Sequence, residues 1–337
     1  MVYPDVSIVI LNWNGWRDTL ECLESVYQIN YPNYNVIVVD NGSEDNSIEK
    51  IKEYAEGKIK VKSDFFKYNP DNKPLKVIEY SKNDLEFINV SEIEDLSSNQ
   101  KLILIKNDEN YGFAEGNNIA MRYILKSLNS DYILLLNNDT VVDKNFLANL
   151  VKHGENKNTG ILGPTVCYYN EPDNVSISGG NIIFSIGAIN YVNLNKNYKN
   201  QDMNEKNVDY ISGCSLLIKN EVCKKTGLLN SDYFLYYEDT EWCLRAKSNG
   251  YNVLYVPESR IWHKESTAPV SNVGVYYLTR NRFWFIKKYA NNLQYFSFFI
   301  FFFIFYFWAH NMRHLLYYRD IKRLYSFYNG IVDGIKT

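Results

Sequence analysis

This 337-residue sequence predicts an α/β fold, a mostly parallel sheet with helices on both faces, plus a hydrophobic helical segment near the C-terminal end. Three observations carry that prediction. Four short, strongly apolar runs, VSIVIL, VIVV, LILI and ILLL, recur through the first half. Each is followed by an amphipathic stretch, and strands this apolar are buried on both sides, as in parallel sheets covered by helices. Far downstream, residues 293–309 form an uncharged run of a different character, LQYFSFFIFFFIFYFWA.

In order, Val6–Leu11 reads as the first strand, and Trp16–Ile29 as a helix with Leu20, Leu23, Val26 and Tyr27 on one face. Val36–Val39 is a second strand before a helix at Ser47–Ala55. Lys62–Gln100 breaks the rhythm. It is rich in Asn, Asp, Lys and Ser, carries Pro70 and Pro74, and reads as an insertion with a short strand at Lys76–Tyr80. Leu102–Ile105 and Ile133–Leu136 are further strands, followed by helices at Asn117–Leu128 and Lys144–Lys152. Thr165–Tyr210 is Asn-rich with alternating apolar residues, which suits short antiparallel strands. Thr240–Asn249 is a helix, Val253–Val256 a strand and Asn272–Ala290 a long helix.

With 46% hydrophobic and 22% charged residues, the composition is that of a globular chain, which excludes disordered and collagen-like classes. A net charge of −3 and a pI near 5.9 argue against a general nucleic-acid binder. The average hides an asymmetry: residues 280–337 hold nine Lys/Arg against two Asp/Glu, a net of +7 that leaves −10 on the rest. The five cysteines are scattered and never spaced CxxC, so reduced thiols are expected in place of a disulfide framework or zinc knot. Pro4 and Asp5 interrupt the N-terminal segment before any long apolar run, so no signal peptide is expected.

In open α/β sheets, ligands bind at the carboxyl ends of the strands. Three of those ends carry small polar clusters: Asn12-Trp13-Asn14-Gly15, Asp40-Asn41-Gly42-Ser43 and Asn137-Asn138-Asp139-Thr140. Asp40 or Asp139 alone reads as a turn residue; their coincidence on successive strand ends favours a nucleotide pocket. The fingerprints GxGxxG after the first strand and GxxxxGK[ST] anywhere are missing, which disfavours a nicotinamide enzyme and a P-loop ATPase. A diphosphate would then need a carboxylate-held divalent cation as counter-charge. Downstream, Glu238-Asp239 follows the aromatic pair Tyr236-Tyr237 and precedes a helix. Asp239 reads either as that helix's cap or as a general base. His263, just beyond a strand, is a structural residue or a further cation ligand.

The run at 293–309 has 17 residues, Phe at eight positions, and basic residues on both sides. That is the lower limit for a bilayer span, and its aromatic load suits headgroup depth. Membrane attachment, spanning or in the interface, is the expectation, against a buried packing or oligomer helix. If the segment only tethers, a chain ending near Ala290 should be soluble without detergent.

Taken in order, VSIVILNWNG (6–15), VVDNGSEDNS (38–47), NYGFAEGNNIA (110–120), ILLLNNDTVV (133–142), GCSLLIK (213–219) and YYEDTEWCLRA (236–246) resemble the inverting nucleotide-sugar glycosyltransferases of family 2. These have the GT-A fold, and the likeness is to their rhamnosyltransferase-like branch. It covers roughly Val6 to Arg282. The resemblance implies that Asp40 contacts the nucleotide base and that Asn12, Gly112 and Asn117 line the nucleotide pocket. Asn138 and Asp139 would occupy the DxD position, with Asp139 on a Mg²⁺ or Mn²⁺ ion and His263 near it. Asp239, beside Glu238, would be the catalytic base. The DxD position departs from the pattern, holding one carboxylate in Asn137-Asn138-Asp139.

The implied activity is transfer from a nucleoside-diphosphate sugar to a glycan or lipid-linked saccharide at the cytoplasmic face of the cell membrane. The chain then divides into a donor half (1–164), an acceptor and catalytic half (165–290) and a basic membrane-associating tail (291–337). The rivals are a sugar-phosphate nucleotidyltransferase and an inactive membrane-attached scaffold. The first would want a Gly-rich, basic loop after the first strand, which Asn12–Trp16 does not offer. The second has only the DxD departure in its support.

Overall fold

The apolar runs become the centre of one twisted sheet. In the computed structural model, residues 3–86, 96–128, 130–264 and 270–336 are described. The strands are β1 (Val6–Asn12), β2 (Tyr34–Asp40), β3 (Lys76–Ser81), β4 (Lys101–Lys106), β5 (Tyr132–Asn137), β6 (Thr140–Val142), β7 (Thr159–Tyr168), β8 (Val175–Ile177), β9 (Gly180–Ile183), β10 (Ala188–Tyr191), β11 (Lys206–Asn207), β12 (Ser215–Lys219) and β13 (Asn252–His263). The main sheet runs β11-β13-β7-β12-β5-β1-β2-β4-β3, with β6 on β13 and β8 on β7, while β9 and β10 form a separate hairpin.

β5, β1, β2, β4 and β3 are parallel, as the apolar runs predict. β12 enters antiparallel between β5 and β7. The strand expected inside the insertion is β3, on the sheet edge. The strand expected at Val253–Val256 is far longer, because β13 continues past Pro257 through a bulge and pairs with β7 and β6 as far as His263.

Helices α1 (Trp16–Val26), α2 (Ser47–Ala55), α3 (Gly112–Tyr123), α4 (Phe146–Gly154), α5 (Asn220–Thr226) and α6 (Glu238–Ser248) cover the sheet. Ile8 and Ile10 face α1, α2 and α4, whereas Val9 faces the core that α3, α5 and α6 build with Trp242. The period-two alternation along β1 thus feeds two cores, which is why no residue of VSIVI could be polar except the small Ser7.

The insertion is anchored by a buried ion pair. Lys73 Nζ lies 3.2 Å from Glu24 Oε2 on α1, and both side chains are almost wholly buried. Tyr54 Oη, Gln28 Nε2 and Asn69 N also donate to that carboxylate, so its lone pairs are satisfied.

α7 (Asn272–Tyr289), α8 (Asn292–Tyr318) and α9 (Ile321–Lys336) complete the chain. They share a third core, in which Phe283 of α7 packs against Phe298 and Phe302 of α8, with Phe327 and Ile331 of α9 close by. Gly330 and Gly334 lie against Thr279 and Phe283, and a methyl group there would come within 3.0 Å of α7. The C-terminal segment is therefore packed onto the body and is not a detachable tether. Its opposite side is bare: Leu293, Phe296, Ile300, Ile304, Trp308 and Met312, spaced three or four apart, are all exposed.

Candidate active site

The switch in strand order falls at β1, which has β2 on one side and β5 on the other. Their carboxyl ends align: Asn12 pairs with Asp40, and Leu11 with Asn137. The three polar clusters therefore converge, as expected. Asn12 is fully buried and donates to Asp40 Oδ1 at 2.7 Å, while Thr19 Oγ1 donates to Asn12 Oδ1 at 2.7 Å. Ser43 N takes the other Asp40 oxygen at 3.1 Å, and Asp40 is itself buried. Asn12 and Asp40 thus brace the crevice floor from within. Asn138 reaches across to Thr19 Oγ1 at 3.0 Å and packs against Gly15, whose missing side chain makes the space.

Gly112 and Asn117 take different places from the other residues expected at the nucleotide. Asn117 is buried and returns its amide to Phe113 O at 2.8 Å. Gly112, at φ +75°, lies against the Phe234 ring, which leaves no room for a side chain. Phe113 N then donates to Phe234 O at 2.8 Å. This contact starts α3 five residues earlier than periodicity alone predicts. Asn41 completes the link, donating to Gly112 O at 3.1 Å from the end of β2.

Asp139 and His263 come together. β13 pairs with β6 so that His263 stands opposite Thr140. Its Nε2 lies 3.1 Å from Asp139 Oδ1, a close approach in which that buried oxygen accepts no hydrogen bond among the described residues. An oxygen and an imidazole nitrogen side by side suit a divalent cation of the Mn²⁺ or Mg²⁺ kind. Among the described residues no set of three or more His, Cys, Asp and Glu gathers. A cation at this pair would depend on substrate phosphate and water for its remaining ligands.

The Glu238-Asp239 pair opens α6 at the same end of the sheet. Asn137 N donates to Cys214 O at 2.9 Å, and the preceding residue, Gly213, donates its N–H to Asp239 Oδ2 at 2.8 Å. Thr240 N and Oγ1 donate to Oδ1 at 2.6 and 3.1 Å. The cap position itself belongs to Tyr237, in the left-handed region at φ 73°. Asp239 is one residue into the helix and satisfies one of its first-turn donors. Burial raises the Asp239 pKa against the opposing pull of these donors and of Tyr210. Burial, and then the Asp239 charge, raise Glu238 well above the carboxylate range. Both carboxylates border a cavity of about 330 Å³ whose other walls include Tyr191, Tyr210, Tyr236 and Tyr237.

The loop before this pair is held by a residue that the sequence did not single out. Asn281 of α7 is fully buried and donates its amide to the carbonyls of Tyr233, Leu235 and Tyr236 at 2.9, 2.9 and 2.8 Å. Phe234, Tyr236 and Tyr237 all have positive φ. Such backbone is costly in non-glycine residues and persists only where surroundings impose it. The aromatic run YFLYY with an Asn further on was a visible pattern without a visible partner.

A glycosyltransferase-like family 2 model matches residues 74–282, and a glycosyl transferase family 2 model matches residues 7–85. The chain belongs to glycosyltransferase family 2. Its relatives include a low-salt glycan biosynthesis hexosyltransferase, Agl10, of Haloferax volcanii, 29% identical over 198 residues. That match covers 57% of this chain and 62% of the relative. A dTDP-rhamnosyl transferase, RfbF, of Shigella flexneri is 26% identical over 203 residues, covering 57% of this chain and 66% of that protein. The match thus spans less than two thirds of either relative's length.

Among solved structures, this family 2 chain superposes on a mannosyltransferase of Pyrobaculum calidifontis in complex with GDP-Man and Mn²⁺. The TM-score is 0.55 at 14% identity, covering 100% of this chain and 87% of that one. GalNAc-T7 with UDP, GalNAc and Mn²⁺ gives a TM-score of 0.59 at 17% identity, covering 96% and 54%. At such identities the likeness shows the GT-A fold alone.

Proposed function

We propose that this family 2 chain is an inverting glycosyltransferase that moves a hexosyl or rhamnosyl group from a nucleoside-diphosphate sugar to a hydroxyl of a glycan or lipid-linked saccharide. The observation that carries this reading is the Asp239 carboxylate. It is half-buried and fixed by Gly213 and Thr240 at the rim of an aromatic-walled cavity. Aromatic faces and edges are suited to the C–H surfaces of a sugar ring. That cavity is assigned to the acceptor, and the crevice over β1, β2 and β5 to the donor.

The acceptor oxygen forms its bond to the anomeric carbon as the bond from that carbon to the diphosphate oxygen breaks. The acceptor proton passes to Asp239, and the bond's electron pair leaves with the nucleoside diphosphate. A raised pKa suits this base, since it strengthens the carboxylate as a proton acceptor and brings it closer to the working pH. Asp139 Oδ1 and His263 Nε2 would hold a divalent cation, which when bound would offset the charge on the leaving diphosphate. One base is enough for a single displacement, so no protein nucleophile is invoked.

The exposed apolar side of α8 supports attachment to a membrane, which this reading places at its cytoplasmic face. Because the other side of α8 is packed on α7, the helix would lie in the interface and not cross it. The test is a screen of nucleotide sugars for hydrolysis and thermal stabilisation, with and without Mn²⁺ or Mg²⁺. A metal-dependent preference for one nucleotide sugar is expected. No stabilisation by any of them would overturn the reading.

A further inference from the structure

A second cavity, of about 210 Å³, lies between α7, α8 and α9. Arg282, Arg313 and Arg323 line it, with His310 and His314. His314 is 3% exposed, and among the described residues neither of its ring nitrogens has a hydrogen-bond partner. Arg323 is 8% exposed; one of its guanidinium NH₂ groups donates to Val270 O, and its Nε makes no hydrogen bond among the described residues. Asp320 Oδ2, at 4.0 Å from that nitrogen, is the acidic group beside the cluster. Arg313 donates to Tyr318 Oη at 2.6 Å, and the Arg323 guanidinium lies 4.7 Å from the same ring.

Burial of arginine and imidazole with unmet donors is costly unless an anion completes the site. The imidazoles record that positive field. Burial first, then His314, Arg282 and Arg313, push His310 down to about 4. Burial and the neighbouring Arg323 and Arg313 lower His314, with Asp320 opposing.

Two further features narrow the anion. Arg282 and Leu278 also line the aromatic cavity at Asp239, and Arg282 Nε donates to Tyr237 Oη at 3.1 Å, so the cavities share a wall. On its outer side the basic cavity is made by α8 and α9. Their exposed faces carry apolar side chains, Leu315 and Leu316 on α8 and Ile321, Tyr325 and Val332 on α9, beside the exposed cations Arg313, Lys322 and Lys336. An anion between a sugar-sized cavity and an apolar surface matches an amphiphile with phosphate at its centre.

We propose that the Arg282–Arg313–Arg323 cavity binds the phosphate or diphosphate of a lipid-linked saccharide acceptor, with the lipid along α8 and α9 and the sugar passing the Arg282 wall toward Asp239. This rests on the reading of Asp239 as the acceptor base. Arginine forks are the side chains best fitted to phosphate oxygens.

The experiment uses the full chain and phosphatidylcholine vesicles in three forms: plain, with a few mole per cent polyprenyl diphosphate, and with phosphatidylglycerol of equal charge. Flotation and calorimetry with inorganic pyrophosphate are run on the wild type, on Arg313→Gln, which alters an exposed residue, and on Arg323→Gln. Thermal melting checks that each variant is folded. At least tenfold tighter binding to polyprenyl diphosphate vesicles than to the phosphatidylglycerol ones is expected, with competition by pyrophosphate and loss in both variants. Equal binding to the two anionic vesicles would overturn the proposal in favour of a general lipid-headgroup contact. Binding of free pyrophosphate with no preference for the lipid form would overturn it in favour of a soluble-phosphate site.

Transfer assays separate this from the reading beneath it. Arg313→Gln should raise KM at least tenfold for a diphosphate-linked acceptor and leave donor hydrolysis unchanged. If the wild type binds polyprenyl diphosphate but Asp239→Asn transfers sugar normally, the site stands and the base assignment falls.

Discussion

The backbone N–H of Gly213 donates to Asp239 Oδ2 at 2.8 Å, while Thr240 N donates to Oδ1. A carboxylate accepts on both sides; a carboxamide does so on one. Asp239→Asn therefore sets an NH₂ against one of two N–H groups, at a cost of about 1–3 kcal/mol. As a base it should lose at least ~10²-fold in turnover. Turnover, nucleotide affinity and thermal melting measured together separate the two effects. Nucleotide affinity should hold. Near-native turnover would move the base assignment to Glu238.

Asp139 is the acidic residue of the Asp139–His263 pair proposed to hold a cation. Asp139→Ala should remove at least tenfold of the gain that Mn²⁺ gives to nucleoside-diphosphate affinity. Calorimetry with and without the ion checks this, and an unchanged metal-dependent gain takes Asp139 out of the site. Melting should shift little, since Asp139 Oδ1 accepts no hydrogen bond among the described residues.

Glu238 offers a pH test. Its folded pKa is raised by burial and by Asp239, so the folded state holds that proton more tightly than the unfolded chain does. The stability it contributes is full below the ordinary carboxylate pKa and is lost as pH rises through the raised value. Glu238→Gln has no such loss. It should melt above the wild type at pH 8, with the gap closing under acid conditions. A gap independent of pH would mean that the carboxyl is not titrating as described.

Asn281 touches no reacting group and acts through the loop it holds. Asn281→Ala frees the carbonyls of Tyr233, Leu235 and Tyr236, and with them the strained approach to Glu238 and Asp239. A misplacement of about 1 Å can cost ~10²-fold in rate. The expected signature is a fall in kcat with donor KM unchanged. A matching rise in donor KM would place Asn281 in donor binding instead.

The parts of this molecule that are local in sequence were legible in it. The apolar runs gave the parallel strands, and three polar strand ends gave the crevice where Asn12, Asp40 and Asn138 meet. What periodicity could not show depends on distant partners. β13 extends to His263 because β6 and β7 lie beside it, and α3 begins at Gly112 because Phe234 O receives its first N–H groups. Asn281 looked like any helical Asn until the loop at 233–236 folded over it. The C-terminal run was legible as apolar, but not as a helix with one side claimed by Phe283.

That packing reverses the expectation for a chain ending at Ala290. Such a chain keeps α7 and removes α8 and α9, uncovering Phe283, about 1% exposed in the whole protein, together with the α7 surface around Thr279 that Gly330 covers. Each buried side chain of this size contributes roughly 1.5–3 kcal/mol, so the shortened protein should aggregate. It should also lose turnover, since Asn281 on the unsupported α7 holds the loop before Asp239. The membrane contact is better tested from the outer side of α8. Ile304→Gln and Trp308→Gln change exposed residues and leave Phe298 and Phe302 in place. The double variant should melt within a few degrees of the wild type and bind donor nucleotide normally, yet float with vesicles at least tenfold less. If it floats as well as the wild type, the bare side of α8 is not what meets the membrane. If the chain ending at Ala290 is soluble and binds donor, the third core is not needed for the catalytic body.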